Sequence, residues 1–223
     1  MPTVDTAYDG GVYRYSGVDW ATQRAEATGT VTAGAPWMSF TYNLYKSGRG
    51  GVITNIGRFF MQFDTSGISV APSSATLKIH GQGSVNSLDV ILVRGTQSGA
   101  THTSHYNDIY NASTELGNSD GSGTGTLAGI SGLAYSSELV TWNASGYNDF
   151  TLNATALSDI ASEDDFKVVL IGYDADYLDI ASLGLQQSVN IYQKGYGSSY
   201  KPYIDYTEAS ATTESATFFG CNF

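Results

Sequence analysis

The run Gly57-Arg58-Phe59-Phe60-Met61-Gln62-Phe63-Asp64-Thr65-Ser66-Gly67, followed after one proline by Ser74-Ala75-Thr76-Leu77-Lys78-Ile79-His80, decides the fold class. Phe59, Met61 and Phe63 alternate with Arg58, Phe60 and Gln62. Ala75, Leu77 and Ile79 alternate with Thr76, Lys78 and His80. A period of two sends successive side chains to opposite faces of an extended chain, so each run reads as a half-buried strand. The residues between them are turn formers.

Working outward, Leu88, Val90 and Leu92 alternate with Asp89, Ile91 and Val93, and the same period recurs over 147–152, 166–173, 183–193 and 203–206. Towards the N-terminus, 11–15, 22–27 and 37–45 are further strand candidates. About ten short strands separated by Gly, Ser and Asn predict an all-β jelly-roll sandwich or barrel. One helix is expected, over 154–163, where Ala156, Leu157 and Ile160 share a face and Asn153 or Thr155 is placed to cap the start. Residues 111–137 read as a long Gly/Ser-rich loop. The expected organisation is one domain over 1–207, then a polar linker over 208–223 ending in Phe218-Phe219-Gly220-Cys221-Asn222-Phe223. Phe218, Phe219 and Phe223 are candidate docking residues for another subunit, because aromatic side chains on a polar linker gain by being covered.

The first strand pair, with its Arg58-x-x-x-x-Phe63-Asp64-Thr65-Ser66 and Ser74-Ala75-Thr76-Leu77-x-Ile79 patterns, resembles the core of DNRLRE-type jelly-roll domains. Tyr147-Asn-Asp-Phe-Thr-Leu-Asn-Ala-Thr-Ala-Leu157 and Pro202-Tyr-Ile-Asp-Tyr-Thr207 are similar to later segments of that family, so the resemblance spans roughly residues 10–207. Such domains occur in secreted and cell-surface proteins, in carbohydrate-binding modules and among tailed-phage proteins. The resemblance implies a jelly-roll β-sandwich of about ten strands with no catalytic residues of its own.

Composition narrows the function classes. The chain has 223 residues, of which 41% are hydrophobic and 14% charged. At that length it buries roughly 70% of its unfolded surface, enough for a core without disulfide or metal staples. Ten basic residues face twenty-one acidic ones, giving −11. Residues 1–94 carry seven basic and six acidic side chains; residues 95–223 carry three and fifteen. Such a surface repels phosphate backbones, so no nucleic-acid partner is expected. No apolar run is long enough for a transmembrane helix. The start, Met1-Pro2-Thr3-Val4-Asp5, lacks the basic and apolar regions of a secretion signal. The expected location is therefore the exterior of a virion released by lysis, with an extracellular setting as the alternative. With one cysteine, Cys221, an intrachain disulfide is excluded, while pairing between chains stays open.

Gly117-Asn118-Ser119-Asp120-Gly121 matches the nucleophile-elbow pattern, but it lies in a Gly/Ser loop and His80, His102 and His105 all precede it. The match is read as chance. His102 and His105 lie three apart and point to opposite faces of an extended chain, so they are not expected to share a metal. Asp174, Asp176 and Asp179 gather three carboxylates in six residues. They are candidate ligands for a structural Ca²⁺, against the plainer reading of a solvated acidic turn. No spacing selects a catalytic carboxylate pair, and no cofactor motif is present, so an enzyme is not expected. Aromatic faces pack on the C–H groups of sugars, which makes Tyr13, Trp20 and Trp37 the candidate carbohydrate-binding residues, with Tyr15 beside them and Trp142 assigned to packing. Two functions follow. One is a non-enzymatic structural protein on the exterior of a phage virion, as capsid decoration or tail-fibre component, whose partners are other virion subunits or copies of itself and, through adhesion, surface glycans. The other is an extracellular polysaccharide-binding module.

Overall fold

The computed structural model describes residues 1–16, 20–32, 37–46, 52–85, 88–110, 133–136, 140–177, 187–197 and 199–210. The protein is mostly β. Its strands are β1 (Thr3–Ser16), β2 (Thr30–Thr32), β3 (Trp37–Lys46), β4 (Val52–Asp64), β5 (Ser74–Val85), β6 (Asp89–Arg94), β7 (Val140–Thr141), β8 (Tyr147–Thr151), β9 (Asp165–Gly172), β10 (Gln187–Tyr192) and β11 (Tyr203–Thr207). Among the described residues two short helices, α1 (Trp20–Arg24) and α2 (Ala154–Ser162), accompany them.

Ten strands follow one antiparallel path, β2-β1-β11-β5-β10-β3-β4-β9-β6-β7, with β8 alongside β5. A further pairing of β1 with β4, from Thr6↔Phe63 to Ser16↔Thr54, carries the path back on itself, so the sheet is nearly closed into a barrel. Two long strands change partners partway along to make this possible. β1 pairs with β11 through Thr3–Asp5 and with β4 from Thr6 onward. β5 pairs with β11 and β8 through its first half and with β10 from Gly81 onward, where the register shifts by a bulge. The near-closure pairs every long strand on both sides and leaves, among the described residues, only the short β2, β7 and β8 with a single partner, which limits the unpaired backbone groups that invite pairing with other chains.

The core runs from Val12 through Phe59, Phe63, Leu77, Ile79, Phe150, Phe166, Leu170, Val189 and Ile204, all essentially inaccessible. The period-two reading holds for β8, where Asn148 and Phe150 are buried and alternate with half-buried Tyr147 and exposed Asp149 and Thr151. It fails for the central strands. Residues 56–63 of β4 are buried on both faces, as are Val90–Val93 of β6. The second face of β4 is covered by chain that follows β6. Gln97 donates Nε2 to the Met61 carbonyl at 2.8 Å, the Gln62 amide accepts from Gly99 N at 3.1 Å, and the Phe60 and His105 rings lie 6.5 Å apart.

The helix expected over 154–163 forms as α2, with Asn153 Oδ1 accepting from Ala156 N at 3.0 Å as its N-terminal cap. The strand expected over 22–27 does not form. Its first residues belong to α1, because neighbouring polar side chains both find interior partners. Gln23 donates Nε2 to the Arg14 carbonyl, and Arg24 reaches Asp176. The stretch holding His102 and His105 is not extended either. It is a 3₁₀ turn over Thr103–Asn107, in which His105 Nδ1 accepts from His102 N at 3.1 Å while His102 Nδ1 accepts from Ser104 N. The two rings cap the turn reciprocally, so their nitrogens serve the backbone.

Candidate binding surface around His80

The outward face of β5 carries Thr76, Lys78 and His80, because Ala75, Leu77 and Ile79 face the core. The register of its neighbours aligns their outward residues with these. His80 sits opposite Tyr147 on β8, and Lys78 opposite both Asp149 on β8 and Tyr203 on β11. The approach to Tyr147 is fixed from inside by Asn148, whose buried side chain accepts from Asn143 N at 2.6 Å and donates to the carbonyls of Ile79 and Asn143. Gly81 N donates to the Gly146 carbonyl at 2.8 Å, which presses this turn against β5.

Three more tyrosines arrive from the end of β10 and the chain beyond it. Tyr192 closes β10, Tyr196 ends a 3₁₀ turn over Lys194–Tyr196, and Tyr200 lies just before β11. Tyr192 stacks on Tyr196 with centroids 4.4 Å apart and on Tyr200 at 4.7 Å, the planes within 27°. His80 meets Tyr200 at 4.7 Å and Tyr147 at 4.8 Å, both edge to face, and lies 5.5 Å from Tyr192. Tyr203 adds an edge contact to Tyr147 at 5.5 Å. Six rings thus form one connected surface, with Tyr196 46% and Tyr200 36% exposed.

The phenols of this surface are neutral donors and acceptors. Partial desolvation raises the Tyr147, Tyr192 and Tyr203 hydroxyls above the ordinary tyrosine range, so they stay protonated at neutral pH. Tyr147 donates to the Ser199 carbonyl at 2.8 Å, and His80 Nδ1 donates to its neighbour's carbonyl at Gly81, 2.7 Å away. The surrounding lysines have protein partners. Lys78 Nζ lies 2.7 Å from Asp149 Oδ2, Lys201 pairs with Asp5, and Lys194 Nζ donates to the Ala7 carbonyl at 2.6 Å.

The residues nominated from sequence lie elsewhere. Trp20 is 8% exposed at the start of α1, packed into the core, so it presents no face to a ligand. Tyr13 is half-buried in β1, between β2 and β4, and Tyr15 is 59% exposed further along that strand. Trp142 is buried, as expected of a packing residue. Trp37 stands opposite Tyr192 in the pairing of β3 with β10, which brings its backbone beside the tyrosine surface; its side chain lies outside the described residues. Asp179, Ser119, Phe218, Phe219, Cys221 and Phe223 also lie outside them.

The calcium reading loses its middle ligand. Asp174 is exposed, but Asp176 is fully buried, and Arg58 grips its carboxylate with two bonds, Nε to Oδ2 at 2.7 Å and Nη2 to Oδ1 at 2.9 Å. Arg24 Nε adds a contact at 3.2 Å to Oδ1 and donates to the Asp176 carbonyl at 2.7 Å. Burial would raise this carboxyl, but the two guanidiniums outweigh it and hold it below the ordinary aspartate range. Asp176 therefore belongs to a buried ion cluster. Among the described residues, no group of three metal-ligating side chains occurs.

The tyrosine surface was legible only as density. Tyr192, Tyr196, Tyr200, Tyr203 and Tyr206 fall within fifteen residues of a chain holding sixteen tyrosines. Their meeting with His80 and Tyr147 depends on strand order, which no local pattern states. Neither a scan of family models nor a search of curated proteins finds a match to the chain.

Proposed function

We propose that this protein is a non-enzymatic adhesion protein that binds uncharged polysaccharide through the six-ring surface around His80. The observation that carries the proposal is the exposed stack of Tyr192, Tyr196 and Tyr200, continued by His80, Tyr147 and Tyr203. Flat rings supply contact area to sugar C–H groups at little rotamer cost, and protonated phenols at their edges supply hydrogen bonds to hydroxyls. Lys78 and Lys201 are paired with carboxylates, and the molecule carries −11 overall, so a polyanion meets net repulsion.

The setting we propose is the exterior of a phage virion, as decoration or tail-fibre subunit, with a free extracellular polysaccharide-binding module as the alternative. The resemblance to DNRLRE-type domains and the three phenylalanines near the C-terminus support the first setting. We read the barrel as a jelly roll. The partner changes in β1 and β5 support this, since each strand passes between two groups of neighbours.

The test is affinity electrophoresis through gels holding hydroxyethylcellulose, galactomannan or dextran, with alginate and polygalacturonate as acidic counterparts. Retardation is expected with a neutral polymer. Tyr192→Ala and Tyr200→Ala are each expected to weaken it about tenfold, roughly 1.4 kcal/mol. Binding that survives both substitutions, or that favours the acidic polymers, would overturn the proposal.

A further inference from the structure

We infer that Asp9 is a positioning residue for the tyrosine surface: from the opposite end of the chain, its carboxylate caps the turn that presents Tyr196 and makes that turn respond to pH. The inference rests on the reading of this surface as the binding site.

The 3₁₀ turn over Lys194–Tyr196 has no cap of its own. Gln193, at its N-terminal flank, makes no side-chain cap bond. The first backbone N–H of the turn, that of Lys194, is instead donated to Asp9 Oδ2 at 2.6 Å. The Lys194 side chain runs back to the same strand, Nζ donating to the Ala7 carbonyl at 2.6 Å. Both ends of Lys194 are thus tied to β1. Two residues later Tyr196 stacks on Tyr192, so the placement of that ring depends on the tie. A capping carboxylate offers the orphan N–H of a turn its best acceptor.

The same contact confines Asp9. Lys194 is the charged group facing it from the turn; across β4 its register partner is Met61, and Tyr8 and Gly10 flank it on β1. Desolvation raises its carboxyl from 3.8 to about 6, against the opposing effects of the Lys194 N–H and the Lys194 charge. The sign of the response follows by linkage. Only what the turn itself contributes enters that linkage, and both contributions of Lys194, its N–H bond and its charge, lower the carboxyl and so favour its ionised form. Ionisation therefore favours the seated turn, and protonation loosens it. A neutral carboxyl still accepts from Lys194 N through its carbonyl oxygen.

The ligand-free full chain tests this first, by following the Lys194 amide and the Tyr196 ring by NMR from pH 4.5 to 8. One transition near pH 6 is expected at both positions. Asp9→Asn keeps the acceptor and cannot ionise, so it should remove the transition and hold the low-pH positions throughout. Asp9→Ala should displace both signals at every pH. Binding of the retarding neutral polymer should then be several-fold tighter at pH 8 than at pH 5. That dependence should vanish in Asp9→Asn. Absence of the NMR transition, or its persistence in Asp9→Asn, overturns the inference whatever the polymers do. A normal transition with no polymer bound would instead sink the glycan reading and leave the Asp9 tie standing.

Discussion

At the residue scale, the cluster of Arg58, Arg24 and Asp176 shows how far a side chain's role can lie from its local surroundings. Arg58 is completely buried, its guanidinium 4.5 Å over the Tyr106 ring, with Nη1 donating to the Tyr106 carbonyl at 2.7 Å and to Asn107 Oδ1 at 3.0 Å. One guanidinium joins β4, the 3₁₀ turn over Thr103–Asn107 and the turn after β9. Removing one partner of such a pair leaves a buried charge without compensation, so Asp176→Ala is expected to destabilise by about 3–5 kcal/mol in denaturant unfolding. Asp174→Ala, on an exposed neighbour, should change stability by less than about 0.5 kcal/mol. Adding Ca²⁺ or a chelator should leave the melting temperature of the parent unchanged. Since the folded carboxyl is held below its usual range, its contribution is full above the ordinary aspartate range and is lost as pH falls through the depressed value. Equal losses from the two alanine variants would contradict the buried role of Asp176.

At the scale of elements, β5 decides where the binding surface forms. Its first half carries Lys78 and His80 outward, and at Gly81 it passes to β10, which delivers Tyr192. A Cβ at Gly81 would stand 2.1 Å from the Asn143 carbonyl oxygen, a backbone atom held by the Asn148 bonds and unable to swing away. Gly81→Ala should therefore cost about 1–3 kcal/mol and lower the melting temperature, and it should disturb the His80–Tyr147 contact beside it. Gly67→Ala is the control, because a Cβ there meets nothing within 4 Å. A Gly81→Ala variant as stable as the Gly67→Ala control would mean that the turn over 142–146 is not pressed against β5. The alternation that located β5 and β8 was fully legible, since each has one solvent face. The double burial of β4 was not, because its second cover comes from residues 97–106, forty residues further along the chain.

On the scale of the whole molecule, the charged groups around the aromatic surface come from both ends of the chain. Residues 95–223 carry fifteen of the twenty-one acidic side chains, yet two of their three lysines, Lys194 and Lys201, flank the tyrosines. Each is tied to β1 at the start of the chain. Strand β11 ends at Thr207, whose carbonyl accepts from Ser73 N at 2.9 Å, so a chain ending there keeps every strand pairing among the described residues. Light scattering on the full chain and on one ending at Thr207 tests the assembly part of the proposal. The expected outcome is an oligomer that becomes monomeric on truncation, while polymer binding is retained. An oligomer that persists without residues 208–223 would remove Phe218, Phe219 and Phe223 from the assembly contact.

What the sequence by itself determined is the class of structure, strands read from period two and one helix read from a threefold-to-fourfold spacing, together with an acidic composition. These are short-range consequences of backbone geometry and of composition, and they need no knowledge of which strand lies beside which. Tertiary structure alone decided that the sheet nearly closes, that Asp176 is spent on Arg58 and not on a cation, that Trp20 is interior, and that His80 gathers five tyrosines from three strands and two loops. Each of those outcomes depends on residues distant in the chain, as Arg58 and Asp176 are at 118 positions apart. The physical reason is that strand order is chosen by the summed burial of all faces, and no single segment carries that sum.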